Sequence, residues 1–269
     1  LDNEARSLKI LAEKGFSDPG ALPQVVFAGH HAGLSLVGES IVTGVPFRQA
    51  SQATADCPYG RAALDWFVEL GALTADPHAA TSGAIAASLT QLLDRFVAIY
   101  RPTAEQQAFL AQQIAAIGRS ATSVPLVFQH GDPGPWNMLV TPEGRVAVLD
   151  WEAAEPAGMP LWDLFYFMRS YSLDAARKQG LNQRLAAFSQ QFLEDTPLSR
   201  LYVDVIERYC RSIGLDRGLI EPLFYTCWMH RALKESMRLD PAKLGHGHFA
   251  NLIWWCRERQ DAPTLQRLF

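Results

Sequence analysis

Cysteine is scarce in this chain: there are four in 269 residues, Cys57, Cys210, Cys227 and Cys256, with no CxxC pair among them. That excludes a zinc centre built on paired thiols and a disulfide scaffold, and it fits buried free thiols in a reducing cytoplasm. Long apolar runs are also missing. None approaches the ~18 residues of a membrane span, and the opening LDNEARSLKI has no apolar core of a signal peptide. Basic charge is not in surplus, with 24 Lys and Arg against 28 Asp and Glu and a formal net charge of −4. Nothing in that balance points to nucleic acid or an anionic membrane as a partner. Neither GxGxxG nor GxxxxGKS/T occurs, and no internal repeat or low-complexity tract is found.

What is present is an ordinary globular composition, 48% hydrophobic and 19% charged, with a mean hydropathy of −0.03. A chain of this length buries a large core in one or two domains. Apolar residues at three-to-four spacing predict helices over 2–14, 61–70, 77–99, 103–118, 161–171, 181–193, 198–212, 221–238 and 247–259. Short β-like runs at 24–28 and 34–37 flank a GHHAG turn; 39–43 extends that sheet and 44–46 breaks it. The change from a small sheet-bearing part to a helical part is expected between residues 46 and 58.

Against that background one stretch stands apart: FQHGDPGPWNMLVTPEGRVAVLDWE, residues 128–152. HGDPGPWN carries enough Gly and Pro to force an irregular exposed loop, and TPEG reads as the turn of a β-hairpin. If Val140 pairs with Arg145, Asn137 faces Val148, and Asp150 lies one diagonal step away on the same face, roughly 7–8 Å between backbones. An amide oxygen and a carboxylate so placed are hard donors that suit Mg²⁺. A one-residue change of register would send Asp150 to the other face. Asp132, in the irregular loop, is free to face a substrate hydroxyl, which is the division of labour that phosphoryl transfer requires. Asx turns at Asp132 and Asn137 and helix capping by Asp150 are the alternative for each residue singly.

These motifs resemble those of the aminoglycoside phosphotransferase and choline kinase-like family, relatives of the protein kinases. The family's HGDxxxxN matches His130, Gly131, Asp132 and Asn137; its strand ending in DWE matches Asp150, Trp151 and Glu152; its further Asp matches Asp163 in PLWDL. The resemblance implies an α+β, protein kinase-like fold: a truncated small N-terminal β-containing lobe with the hinge, residues 1–46, and a larger, mainly helical C-terminal lobe carrying the catalytic hairpin, residues 47–269. It implies Asp132 as catalytic base, Asn137 and Asp150 as Mg²⁺ ligands, and His130 and Asp163 as supports of the loop. Glu4 would be the helix glutamate that pairs with an ATP-positioning lysine, and Glu39, Ser40 and Ile41 would lie near the nucleotide base. The implied function is ATP- or GTP-dependent phosphorylation of a hydroxyl on a small molecule, a sugar, amino sugar or amino alcohol, in the cytoplasm. The family's phosphate-covering loop and lysine precede that glutamate, whereas this sequence starts at Leu1 without Met. It is therefore expected to be a trimmed form of a longer protein; a degenerate kinase-like binding module is the alternative.

The remaining features carry less. Glu152 and Glu155 follow the metal strand and are candidates for contacting a cationic acceptor. His30, His31, His246 and His248 read as loop histidines, since no zinc-like spacing accompanies them. Trp228, Trp254 and Trp255 read as core, and Arg231, Lys234 and Arg238 as a solvated helix face. The acceptor is expected between Asp132 and the C-terminal helices, where no concentrated acidic wall is evident.

Overall fold

The computed structural model describes residues 2–16, 20–52 and 54–269. The chain opens with α1 (Asp2–Glu13), followed by the antiparallel hairpin β1 (Val25–His31) and β2 (Leu34–Glu39). The hairpin turns on Ala32 and Gly33, both at positive φ. β2 stops at Glu39, where Ser40 closes the last rung: its N–H donates to the Gln24 carbonyl, and the Gln24 N–H donates to its Oγ, each at 2.8 Å. The expected extension of this sheet through 43 is therefore not formed. The next strand, β3 (Val45–Pro46), pairs instead with a later hairpin, Val45 opposite Val140.

Helices follow: α2 (Phe47–Ala50), α3 (Pro58–Thr74), α4 (Ser82–Tyr100) and α5 (Ala104–Gly118). α5 begins where its sequence says it should, because Thr103 and Gln106 form a reciprocal capping box. Next come β4 (Val127–Gln129), a 3₁₀ turn at Pro135–Asn137, the hairpin β5 (Met138–Val140) and β6 (Val146–Val148), and β7 (Glu155–Gly158), which pairs back with β4. The rest is helical: α6 (Trp162–Lys178), α7 (Arg184–Phe188) running into a π turn, α8 (Pro197–Ile213), α9 (Ile220–Ser236), α10 (His248–Arg257) and α11 (Pro263–Leu268). Among the described residues no helix is long and apolar enough to cross a membrane.

The core runs through the helical part and beneath the hairpin. α6 and α9 are buried nearly all round, so they form a scaffold that holds side chains at fixed positions. Trp151 is fully buried, packed against Trp66, Phe128 and His130 with ring centroids 4.7–6.0 Å apart. Trp228 is buried, Trp254 and Trp255 pack against the core, and all four cysteines are buried and unpaired.

Candidate active site

The loop after β4 is held by one buried acid. Asp163, in the first turn of α6, accepts the His130 N–H at 2.6 Å and the Gly131 N–H at 3.3 Å. It also lies 3.8 Å from the Arg231 guanidinium of α9. This carboxylate replaces water for two successive backbone amides, the kind of satisfaction a buried loop must have.

His130 is fully buried and bonded at both ring nitrogens: Nε2 faces the Leu149 carbonyl at 2.8 Å, and Nδ1 faces the Asp132 N–H at 3.2 Å. A carbonyl requires a donor and an amide requires an acceptor, so the ring is the neutral Nε2–H tautomer. Burial lowers its pKa against the pull of Asp163. A proton on Nδ1 would meet the Asp132 N–H head on. His130 therefore ties the loop to the strand end and has no free nitrogen with which to act as a base.

Asp132 is half-exposed at the cleft. Its Oδ2 accepts from Trp136 Nε1 at 3.3 Å, and its Oδ1 lies 3.8 Å from Arg231. Arg231 itself is buried, 3.4 Å above the Tyr166 ring. Tyr166 is pushed up to about 12, chiefly by burial, so its hydroxyl stays protonated.

The hairpin departs from the expected register by one residue. Val140 pairs with Val146 and Met138 with Val148, so Asn137 stands opposite Leu149, whose N–H donates to the Asn137 carbonyl at 2.9 Å. Strict alternation would then place Asp150 on the far face. It does not stay there, because Asp150 adopts φ +66°, a left-handed conformation rare for a non-glycine residue. That break turns its exposed carboxylate into the cleft of about 560 Å³ that Asp132 also lines. Asn137 donates its amide Nδ2 to the Asp132 carbonyl at 3.0 Å, which leaves the amide oxygen available. Asn137 is not among the residues lining that cleft; an amide oxygen and a carboxylate are donors of the type that Mg²⁺ takes. Among the described residues no group of three or more His, Cys, Asp or Glu is placed to hold a metal, so an ion here would complete its shell with water and phosphate oxygens.

The N-terminal helix reaches the same loop. Glu4 accepts the Trp151 N–H at 3.2 Å, and Asn3 Nδ2 donates to the carbonyls of Glu152 and Ala154 at 2.8 and 2.9 Å. Glu39 lies near Glu4 and Asp150; burial and then those two charges raise its pKa. Ser40 is pinned to Gln24, and Ile41 is 91% exposed beyond it. Glu152 lines the cleft, whereas Glu155 lines a separate hollow of about 330 Å³ beside Trp162 and His230.

The rest of the cleft wall carries four basic side chains beside Glu235 and the apolar Met237, Leu239 and Phe249. Arg231, Lys234 and Arg238, expected to form a solvated face, line the cleft together with Arg184. Lys234 Nζ donates to the Gly131 carbonyl at 3.3 Å, and its pKa is lowered by burial and then by Arg231. His248 is likewise not a loop histidine: it is buried at the start of α10 and receives Arg169 Nε–H at 3.2 Å. The available signal was charge embedded in apolar helices, Arg169 within FMRSY and Arg231 within MHRAL.

These histidines set an acid limit on stability. His248 and His230 are each lowered to about 3 by burial, with nearby Arg and Lys adding to it, and His130 moves the same way. Groups kept neutral in the fold contribute fully above their unfolded value near 6.5 and lose that contribution as pH falls below it. At pH 5.5 His248 and His230 together weaken folding by about 3 kcal/mol, or roughly 8 °C in Tm for a chain of this size, and His130 acts in the same direction. Glu39 and Glu221, raised by burial, oppose this as pH falls through their raised values toward 4.5. Thermal unfolding followed by circular dichroism at pH 7.5 and 5.5 checks it; an unchanged Tm would contradict the neutral assignment.

Comparison with known proteins places this geometry. No curated protein matches the chain. Among solved structures, a glucosamine kinase aligns over 95% of this chain and 70% of its own, with 18% identity and a TM-score of 0.54. A glucosamine kinase in complex with glucosamine, ADP and inorganic phosphate aligns over 94% and 66%, with 17% identity and a TM-score of 0.50. An aminoglycoside phosphotransferase from Alicyclobacillus acidocaldarius aligns over 98% and 82%, with 14% identity and a TM-score of 0.51. This chain thus spans about two thirds of the glucosamine kinase structures. At these identities the likeness is one of fold, kinase-like and α+β. The profile of the phosphotransferase enzyme family matches residues 1–203, and the chain belongs to that family.

Proposed function

We propose that this protein transfers the γ-phosphate of ATP, or of GTP, to a hydroxyl of a small molecule bound in the cleft between Asp132 and α6, α9 and α10. The observation that carries the reading is the convergence of Asp132 and Asp150 on one cleft of about 560 Å³. In the proposed reaction Asp132 orients the acceptor hydroxyl and takes its proton as the oxygen bonds to phosphorus, while the bond to the β-phosphate oxygen breaks. Asn137 and Asp150 would hold Mg²⁺, which would neutralise charge on the phosphate oxygens. Asp163 and His130 fix the loop so that the base is already in place. The similar glucosamine kinase in complex with glucosamine, ADP and inorganic phosphate supports a nucleotide and a sugar-sized acceptor. The division into residues 1–46 and 47–269, with Glu39, Ser40 and Ile41 beside the nucleotide base, belongs to the same proposal.

A binding module without turnover is the alternative reading. The full chain incubated with Mg²⁺, γ-labelled ATP and a panel of alcohols separates these readings. Label recovered on an organic product is the expected result. Label recovered only as free phosphate, or Mg²⁺–ATP bound and never turned over, would overturn the proposal.

A further inference from the structure

Beside the cleft, and sharing Tyr166, Arg184, Glu235 and Phe249 with it, lies a recess of about 230 Å³. Its charged lining is Arg48, Arg169, Arg177 and Arg184 against Asp174 and Glu235. Two of the arginines are already committed: Arg48 and Arg177 share Asp174, at 2.8 and 3.8 Å. Arg184 is exposed at the start of α7, and among the described residues no carboxylate lies within ion-pair distance of it.

Arg169 is the unusual member. It is 93% buried, being 7% exposed. Its Nε–H donates to His248 Nε2 at 3.2 Å, and its guanidinium lies 4.8 Å over the Phe249 ring. A histidine that accepts this bond must present a lone pair and is therefore neutral. Among the described residues no carboxylate lies within ion-pair distance of Arg169. Glu235, the acid nearest in effect, already accepts the Phe249 N–H with its Oε2 at 3.1 Å. A buried guanidinium held by a neutral ring is an uncompensated charge, which folded proteins seldom tolerate without a use for it. Arg169 lines the recess, and its Nη groups have no hydrogen-bond partner among the described residues.

Position along α6 supplies a ruler. Asp163, Tyr166 and Arg169 follow one another at three-residue spacing, so Arg169 lies about 9 Å along the helix from the acid that buttresses the catalytic loop. That distance suits a sugar-sized molecule with its hydroxyl at one end and a charged group at the other.

We propose that the acceptor is an alcohol carrying an oxyanion, a carboxylate or a phosphate, which Arg169 binds with Arg184 while the hydroxyl is presented to Asp132. The inference rests on the phosphotransferase reading above and names its acceptor class.

The test is equilibrium binding, by calorimetry, of D-gluconate, glucose 6-phosphate, glucose and glucosamine to the full chain, with no turnover required. At least one anionic probe is expected to bind ~30-fold more tightly than glucose or glucosamine, in keeping with a charge-assisted bidentate contact. Whichever of gluconate and glucose 6-phosphate binds more tightly identifies the oxyanion. Arg169→Gln should remove that preference and leave glucose binding unchanged. Arg184→Gln, at an exposed position that leaves the core intact, should weaken the anionic probe several-fold and serves if the Arg169 variant does not fold. Glucosamine binding as tightly as the anionic probes, or selectivity unmoved by both substitutions, overturns the inference. Because binding is read apart from transfer, intact anion selectivity with no label transfer would overturn the reaction and not the subsite.

Discussion

Asp132→Asn is expected to lower kcat by about a thousand-fold, within the range seen on losing a positioned base, while Mg²⁺–nucleotide affinity changes by less than about threefold. The expectation follows from the role proposed for Asp132, for which the neighbouring His130, Tyr166 and Lys234 cannot substitute. His130 has both nitrogens engaged, one by a carbonyl and one by an amide. Tyr166 is held protonated, pushed up to about 12 by burial. Lys234 spends a donor on the Gly131 carbonyl and sits beside Arg231. Asn keeps the shape of Asp and still accepts from Trp136, and Arg231 keeps Asp163, so the fold should survive. The loss should therefore fall on kcat with binding intact, as for a group that acts only as the bond forms. A variant that retains more than a tenth of the wild-type kcat would remove Asp132 from the role of base.

The helical part of the fold was legible because its signals are local. The periodicity that predicts 103–118 and 198–212 meets a capping box at Thr103 and another at Thr196, so pattern and cap agree. β7 was not legible: EPAG has no strand signature, and it becomes one only by pairing with Val127–Gln129, some thirty residues earlier in the chain. The hairpin register failed for a related reason. Thr141 pairs with Arg145, its N–H donating to the Arg145 carbonyl at 2.9 Å, and Gly144 takes φ +79°. A tighter three-residue loop replaces the TPEG turn assumed from the sequence, and the register moves by one.

The motif marked Asp132 and Asp150, which line one cleft, even though the hairpin register inferred for them was off by one residue. Asp150 reaches the cleft through a left-handed backbone that pattern reasoning does not foresee, and such departures gather at functional sites. The basic side chains were missed for another reason. Arg169, Arg184 and Arg231 come from three helices, and no short window of sequence contains two of them from different elements. Which carboxylates stand near each, Asp132 and Asp163 beside Arg231 and none within ion-pair distance of Arg169 or Arg184 among the described residues, is a property of the packed structure alone.

Gly131→Ala is the second large effect, and Gly180 provides its control. Both glycines have φ +84°, so alanine at either position carries the same left-handed cost of about 1–2 kcal/mol. They differ in what a Cβ would meet. At Gly180 there is nothing within 4 Å, whereas at Gly131 the new carbon would lie 2.1 Å from the Ala153 carbonyl oxygen. That neighbour is backbone, in the segment held to α1 by Asn3 and Glu4, so it cannot swing aside as a side-chain tip would. The catalytic loop must move instead, stretching the bonds from His130 and Gly131 to Asp163 and displacing Asp132. Gly131→Ala is expected to cost at least about 3 kcal/mol in stability, and a base displaced by an ångström loses roughly a hundredfold in rate. Gly180→Ala should cost only the backbone share and keep full activity. Urea unfolding midpoints and kcat for the two variants, measured side by side, decide it. If the two lose equal stability, the close approach to Ala153 is not what holds the loop in place.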